Sequence, residues 1–156
     1  MKARNALIIA TLLVWSGPGA AQQAAESQSC AGELTDQLRR FNEQCLSDLV
    51  GFVASKPKAT ARVLGEKAKF YVQLTRGPNG LDAEAVSRAN FPFMTPDTGE
   101  ALKSLGWAPP ENEQGNYRKH YGTGDPARTA EDIAKTLAAY GLAKGEAISL
   151  TVAAQN

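Results

Sequence analysis

The sequence predicts an α+β fold, a largely antiparallel sheet of four to five strands packed against three helices. Three observations lead to it. Apolar residues recur at steps of three and four early in the chain, they alternate with polar residues in short runs at 70–74 and 148–152, and Gly, Pro and Asn cluster between such runs. The resulting order is helix, three strands, helix, strand, helix, strand.

The first helix rests on Cys30, Leu34, Leu38, Phe41, Cys45, Leu49, Phe52 and Val53, with Glu33, Asp36, Arg39, Arg40, Glu43 and Asp48 on the other faces. It is expected to run from Cys30 to residues 54–56, because Pro57 disfavours helical geometry in the residue before it. Strands follow over 59–64 and 70–74, the second with Phe70, Val72 and Leu74 on one face. Gly77-Pro78-Asn79-Gly80 reads as a hairpin turn, since Gly and Asn tolerate positive φ and Pro fixes its own. That turn favours a returning strand over 81–90, although Asp82-Ala83-Glu84-Ala85 has helix propensity.

Thr95-Pro96-Asp97 opens the second helix, either with Thr95 as cap and Pro96 at the first helical position or with Asp97 as cap and Glu100 three residues on, and Gly106 ends it. A polar, Pro-broken loop over 108–115 leads to an aromatic strand over 116–121, and Gly122-Thr123-Gly124-Asp125-Pro126 turns the chain. Thr129 is the expected cap of a third helix whose Ile133, Leu137 and Tyr140 face inward and whose end is marked by Gly141 and Leu142. Ile148, Leu150 and Val152 alternate in the last strand.

With 156 residues, 43% hydrophobic and 21% charged, the chain suits one ordinary domain, expected over 30–156. Its 17 basic and 16 acidic residues leave no electrostatic footprint for a nucleic acid. One His and two Cys exclude a site that needs two imidazoles or four thiolates from a single chain, and no cofactor or metal is expected.

Residues 1–21 read as a signal peptide. Lys2 and Arg4 precede an apolar run over 6–15 that is too short to span a bilayer, Gly17-Pro18-Gly19 breaks it, and cleavage after Ala21 places small residues at both recognition positions. Residues 22–29 then form a flexible polar leader, and the mature chain has no stretch of membrane-spanning length. The expected location is the periplasm or the exterior.

His120 is the one residue that invites a catalytic reading, as a general base with Glu84 or Asp125 in a small exported hydrolase or ligand-binding protein. No Gly-x-Ser-x-Gly elbow or His-Glu-x-x-His helix accompanies it, so a non-catalytic protein is the expectation. Gly122-Thr123-Gly124 lacks the Lys-Ser/Thr pair of a phosphate loop, and Glu111, Glu113 and Asp125 lack the spacing of a calcium loop.

Export into an oxidising compartment favours a bridge between Cys30 and Cys45. On one continuous helix they stand about 22 Å apart at 1.5 Å per residue, whereas bridged Cα atoms lie within about 7 Å. Three readings stay open: the segment around Cys30 folds back, two chains pair through reciprocal bridges, or the thiols are free.

From Phe70 to Val152 the chain resembles the TY-Chap domains, bacterial domains related to YbjN proteins and to type III secretion chaperones. The resemblance lies in Tyr71-Val72-Gln73-Leu74, in residues 95–110 with their Leu105-Gly106-Trp107 and Pro110 core, and in the aromatic-basic strand followed by helix and strand. It implies a compact α+β protein-binding fold without catalytic residues, often dimeric, so the expected partner is another protein or a second copy. The export signal sets the chain apart from the cytosolic secretion chaperones. Tyr71, Gln73, Trp107, Tyr117 and Tyr121 are the candidate contact residues, although a core or half-buried strand position is the more ordinary reading of each.

Overall fold

A computed structural model describes residues 37–40, 43–65, 69–143 and 145–153. In chain order it contains β1 (Gln37–Arg40), α1 (Glu43–Ser55), β2 (Thr60–Gly65), β3 (Tyr71–Gly77), β4 (Gly80–Ala85), α2 (Pro96–Ser104), β5 (Tyr117–Gly122), α3 (Pro126–Ala139) and β6 (Ala147–Ala153). The α+β class holds, with three helices against an antiparallel sheet of strand order β1-β6-β2-β3-β4-β5. The expected signal peptide, the leader and Cys30 lie outside the described residues.

Six strands replace the expected four to five, and the addition comes from the segment read as the start of the first helix. Gln37–Arg40 pairs with Ile148, Ala147 and their neighbours in β6, and helix begins only at Glu43. Four residues placed beside β6 gain a ladder of backbone hydrogen bonds, and that tertiary pairing outweighs a local helical periodicity. α1 still buries the face its spacing predicts, with Cys45, Leu46, Leu49, Val50 and Val53 fully enclosed.

The hairpin at 77–80 forms as expected, closed by the Gly77–Gly80 pair, and the returning strand ends at Ala85. Gly80 is required there, because its φ is +136° and a Cβ would stand 2.1 Å from the backbone of Gly122 in β5. α2 starts by the first of the two expected caps: the Thr95 hydroxyl accepts from Thr98 N at 3.2 Å and Pro96 opens the helix, with Asp97 already inside its first turn. α3 starts earlier than expected. Asp125, not Thr129, is the cap, accepting from Ala127 N at 2.9 Å, and Pro126 then repeats the arrangement of Pro96. Its end is the expected Schellman pair, Leu142 N to Leu137 O at 3.1 Å and Gly141 N to Ala138 O at 2.8 Å, with both leucines buried.

The core lies between the helices and one face of the sheet. Ala61, Val63, Val72, Leu74, Ala83, Ile148 and Leu150 meet α1 and the Ile133 and Leu137 side of α3. A second apolar group joins the loop after β4 to the end of α3: Phe70 stacks on Tyr140 at 4.9 Å between centroids, and Phe91 meets both edge-on.

Candidate functional site

Strand alternation sends every second side chain to the other face of the sheet, and there the residues are polar. Register places Arg62 of β2 opposite Gln73 of β3, Gln73 opposite Glu84 of β4, and Glu84 opposite Arg118 of β5. A second row runs Thr75, Asp82, His120. Arg62, Asp82, Arg118 and His120 are exposed, while Tyr71, Gln73, Thr75 and Glu84 are half-buried. Between β3, β4, β5 and Ala108 these rows line a shallow groove of about 400 Å³.

The side chains on this face hold one another in place. Arg62 donates from Nε and Nη2 to Gln73 Oε1 at 3.2 and 2.7 Å, and its guanidinium lies 4.6 Å above the centre of the Tyr71 ring. Asn116 anchors the rim: its Nδ2 donates to Tyr71 OH at 2.9 Å and to Glu84 Oε1 at 2.5 Å, while its Oδ1 accepts from Ser87 N and Asn90 Nδ2. His120 Nδ1 and Asp82 Oδ1 are 2.8 Å apart. Sequence reasoning set His120 beside Glu84 or Asp125; instead Glu84 is taken by Asn116 and Asp125 caps α3.

Of the five candidate contacts, Tyr71 and Gln73 share this open face. Trp107 and Tyr117 do not. Trp107 is 2% exposed and donates its indole N–H to Thr136 Oγ1 at 2.9 Å, pinning the exit of α2 to α3, and Tyr117 is 8% exposed on the helix-covered face. The large side chain that ends the Leu-Gly-Trp run is thus spent on packing, where its area contributes most.

Tyr121 also lies on the covered side, half-buried. Its hydroxyl donates to Asp132 Oδ2 at 2.5 Å, and Lys119 Nζ reaches the same oxygen at 2.7 Å and donates to Leu105 O as well. Burial first, and the carboxylate of Asp132 next, push the Tyr121 phenol far above its ordinary value, so it stays a protonated donor. Beside this cluster, between β5 and the first turns of α3, a second groove of about 530 Å³ opens past His120, Gly124 and Arg128.

Sequence reasoning missed Arg62, Asn116 and Arg118. Arg62 carried a signal, a lone cation at the outward position of an alternating run, while Arg118 stood in the basic run Arg118-Lys119-His120 with no such mark. Asn116 was read as the first residue of the aromatic strand, and nothing in that spacing pointed to its partners across the sheet. Among the described residues no cluster of His, Cys, Asp and Glu is placed to hold a metal ion, and no helix is long and apolar enough to cross a membrane.

A family model, TY-Chap3, described as the T3SS (YopN, CesT) and YbjN peptide-binding chaperone 3, matches residues 32–149. The chain belongs to this family. The match includes the resembling stretch from Phe70 and extends back through β1 and α1, so the whole sheet up to Ser149 falls within one TY-Chap3 domain. Comparison with curated proteins and with solved structures found no match. As a member of a family described by peptide binding, the chain is a chaperone-like protein-binding module.

Proposed function

We propose that this protein is an exported, non-catalytic TY-Chap3 module that holds an extended peptide segment of a partner protein against the open face of its sheet, around Tyr71 and Gln73. The observation that carries the reading is the family match over 32–149. The open face supports it: a preordered surface of hydrogen-bond donors and acceptors is suited to polar side chains and to peptide groups, and the Tyr71 ring, fixed by Arg62 and Asn116, offers an aromatic platform.

Export is supported by Lys2, Arg4, the apolar run at 6–15 and the small residues before position 22. An intrachain bridge between Cys30 and Cys45 accompanies it in this reading. β1 interrupts the helix that kept the two cysteines about 22 Å apart, so the objection from a continuous helix falls away, and no described cysteine is free. The bridge would tie the segment before β1 to the buried first turn of α1.

The test uses the full chain expressed with its native N-terminus. Mass spectrometry of the periplasmic fraction is expected to find a chain beginning at Gln22 with both cysteines protected from alkylation until reduced. Selection from a random peptide library is expected to return binders whose affinity falls at least tenfold in the Tyr71→Ala, Gln73→Ala double variant, with an unchanged unfolding midpoint. Binding that survives the double variant would move the site elsewhere. A turnover activity abolished by His120→Ala would instead favour the hydrolytic reading, for which the His120–Asp82 hydrogen bond is the supporting observation.

A further inference from the structure

β5 is the last strand of the sheet, and its outer edge is only partly covered. Arg118 exchanges both of its backbone hydrogen bonds with Ala108, N to O at 3.0 Å and O from N at 2.8 Å, in a single isolated antiparallel bridge. The chain reaches Ala108 from the helix layer, where Trp107 is buried, and therefore fills that one position and no more. Along a strand, backbone groups two residues apart point to the same side. The N–H and C=O of His120 thus face outward as those of Arg118 do, and among the described residues no backbone group outside the β4–β5 ladder takes them. One groove flanks this position on the open face and the other on the α3 side.

The charges beside that edge are not equally occupied. On the open-face side Asp82 is held by His120 and Glu84 by Asn116. Lys119 is paired with Asp132. The Arg118 guanidinium, exposed beside them, makes no hydrogen bond or ion pair among the described residues. A residue directly opposite His120 on an added strand shares its face, with Arg118 on the diagonal and within reach of a long side chain. A carboxylate at that position meets the one uncommitted guanidinium of the groove.

We infer that the β5 edge at His120 receives the partner peptide as an added strand, continuing the rung that Ala108 begins, and that Arg118 selects an acidic residue at the position opposite His120. The inference rests on the peptide-binding reading and names its binding mode and one specificity contact.

The test uses isotope-labelled full-length protein and two synthetic nine-residue peptides of Thr and Ser, one with a central Glu and one with a central Lys. Titration with the Glu peptide is expected to shift the amide resonances of His120 and Tyr121 and to slow hydrogen exchange at His120 about tenfold, with the Lys peptide at least threefold weaker. Arg118→Glu should reverse that order. His120→Pro removes the outward N–H without touching the ladder to β4 and should lower the affinity at least tenfold further than His120→Ala, which keeps the N–H and shares the loss of the side chain that holds Asp82. Shifts confined to Tyr71 and Gln73, with His120 exchange unchanged, would overturn the edge and leave peptide binding standing. Equal affinities in His120→Pro and His120→Ala would also overturn it, as would no shift with either peptide.

Discussion

The two faces of the sheet are built by the same strands and are put to opposite uses. On the face under α1 and α3, Val63, Val72, Leu74, Ile148 and Leu150 are at most 2% exposed, and close packing there sets stability. On the other face the alternate residues of the same strands form polar rows in which Arg62, Gln73, Asp82, Glu84 and His120 are held by neighbours but left in reach of water. A surface of this second kind gains little stability from its contacts, because hydrogen bonds and ion pairs at the surface replace ones that water would make. What it gains is a fixed pattern of donors and acceptors. Under the proposed peptide-binding reading, the residues that fold this domain and those that would meet a partner are separated by one step along each strand.

The largest effect that tests this separation is expected at Trp107, which the sequence offered as a candidate contact beside a core reading and the fold sets in the core. Trp107→Ala should lower the unfolding free energy by about 3–5 kcal/mol, as truncation of a large core aromatic does, and should also leave the Thr136 hydroxyl without its indole donor. Urea denaturation followed by far-UV circular dichroism measures it. A loss below about 1 kcal/mol would show that the exit of α2 does not depend on this anchor and would weaken the division between the faces.

Asn116 lies on the boundary, and its replacement sharpens the comparison. It is 8% exposed and connects Ser87, Asn90, Tyr71 and Glu84. Asn116→Ala leaves the Ser87 N–H without its acceptor and releases both Tyr71 and Glu84, so a loss of about 1–3 kcal/mol is expected from unsatisfied polar groups. The same variant should bind peptide more weakly than its stability loss explains. A double-mutant cycle with Tyr71→Phe isolates the share carried by the Tyr71 hydroxyl.

How much of this was legible follows from the kind of information each feature needs. The stop at Gly141 and the turn at 77–80 depend on one to four adjacent residues and were readable, and the cap at Thr95 was one of two that the residues offered. β1 was not, because four residues are too few to separate a period of 2 from one of 3.6, and Leu38 and Phe41 fitted the helical spacing. The start of α3 was misplaced because Asp125-Pro126 was read as a turn, although cap and first-position proline are the same pair of signals as Thr95-Pro96. At the candidate site, alternation alone sufficed to group Tyr71 with Gln73. It could not tell whether His120 meets Asp82 or Glu84, since both lie on the same face of β4. Register decides that, and it includes an irregularity between Leu81 and Asp82 that leaves no trace in the spacing.

The smallest expected effect is the one that would break the comparison most cleanly. Arg62 is exposed and makes its contacts, two hydrogen bonds to Gln73 and the approach to the Tyr71 ring, entirely on the open face. If that face contributes order and not stability, Arg62→Ala should change the unfolding free energy by no more than about 0.5 kcal/mol, as for a surface substitution, because water takes over the freed Gln73 carbonyl. Peptide affinity should nevertheless fall several-fold, since Tyr71 loses the cation that fixes its ring and each newly mobile side chain must be ordered again on binding. Calorimetric titration and chemical denaturation on the same protein sample read both quantities. A stability loss above about 1.5 kcal/mol with unchanged affinity would reverse the roles, making the polar rows structural and sending the search for the contact surface to the β5 edge alone.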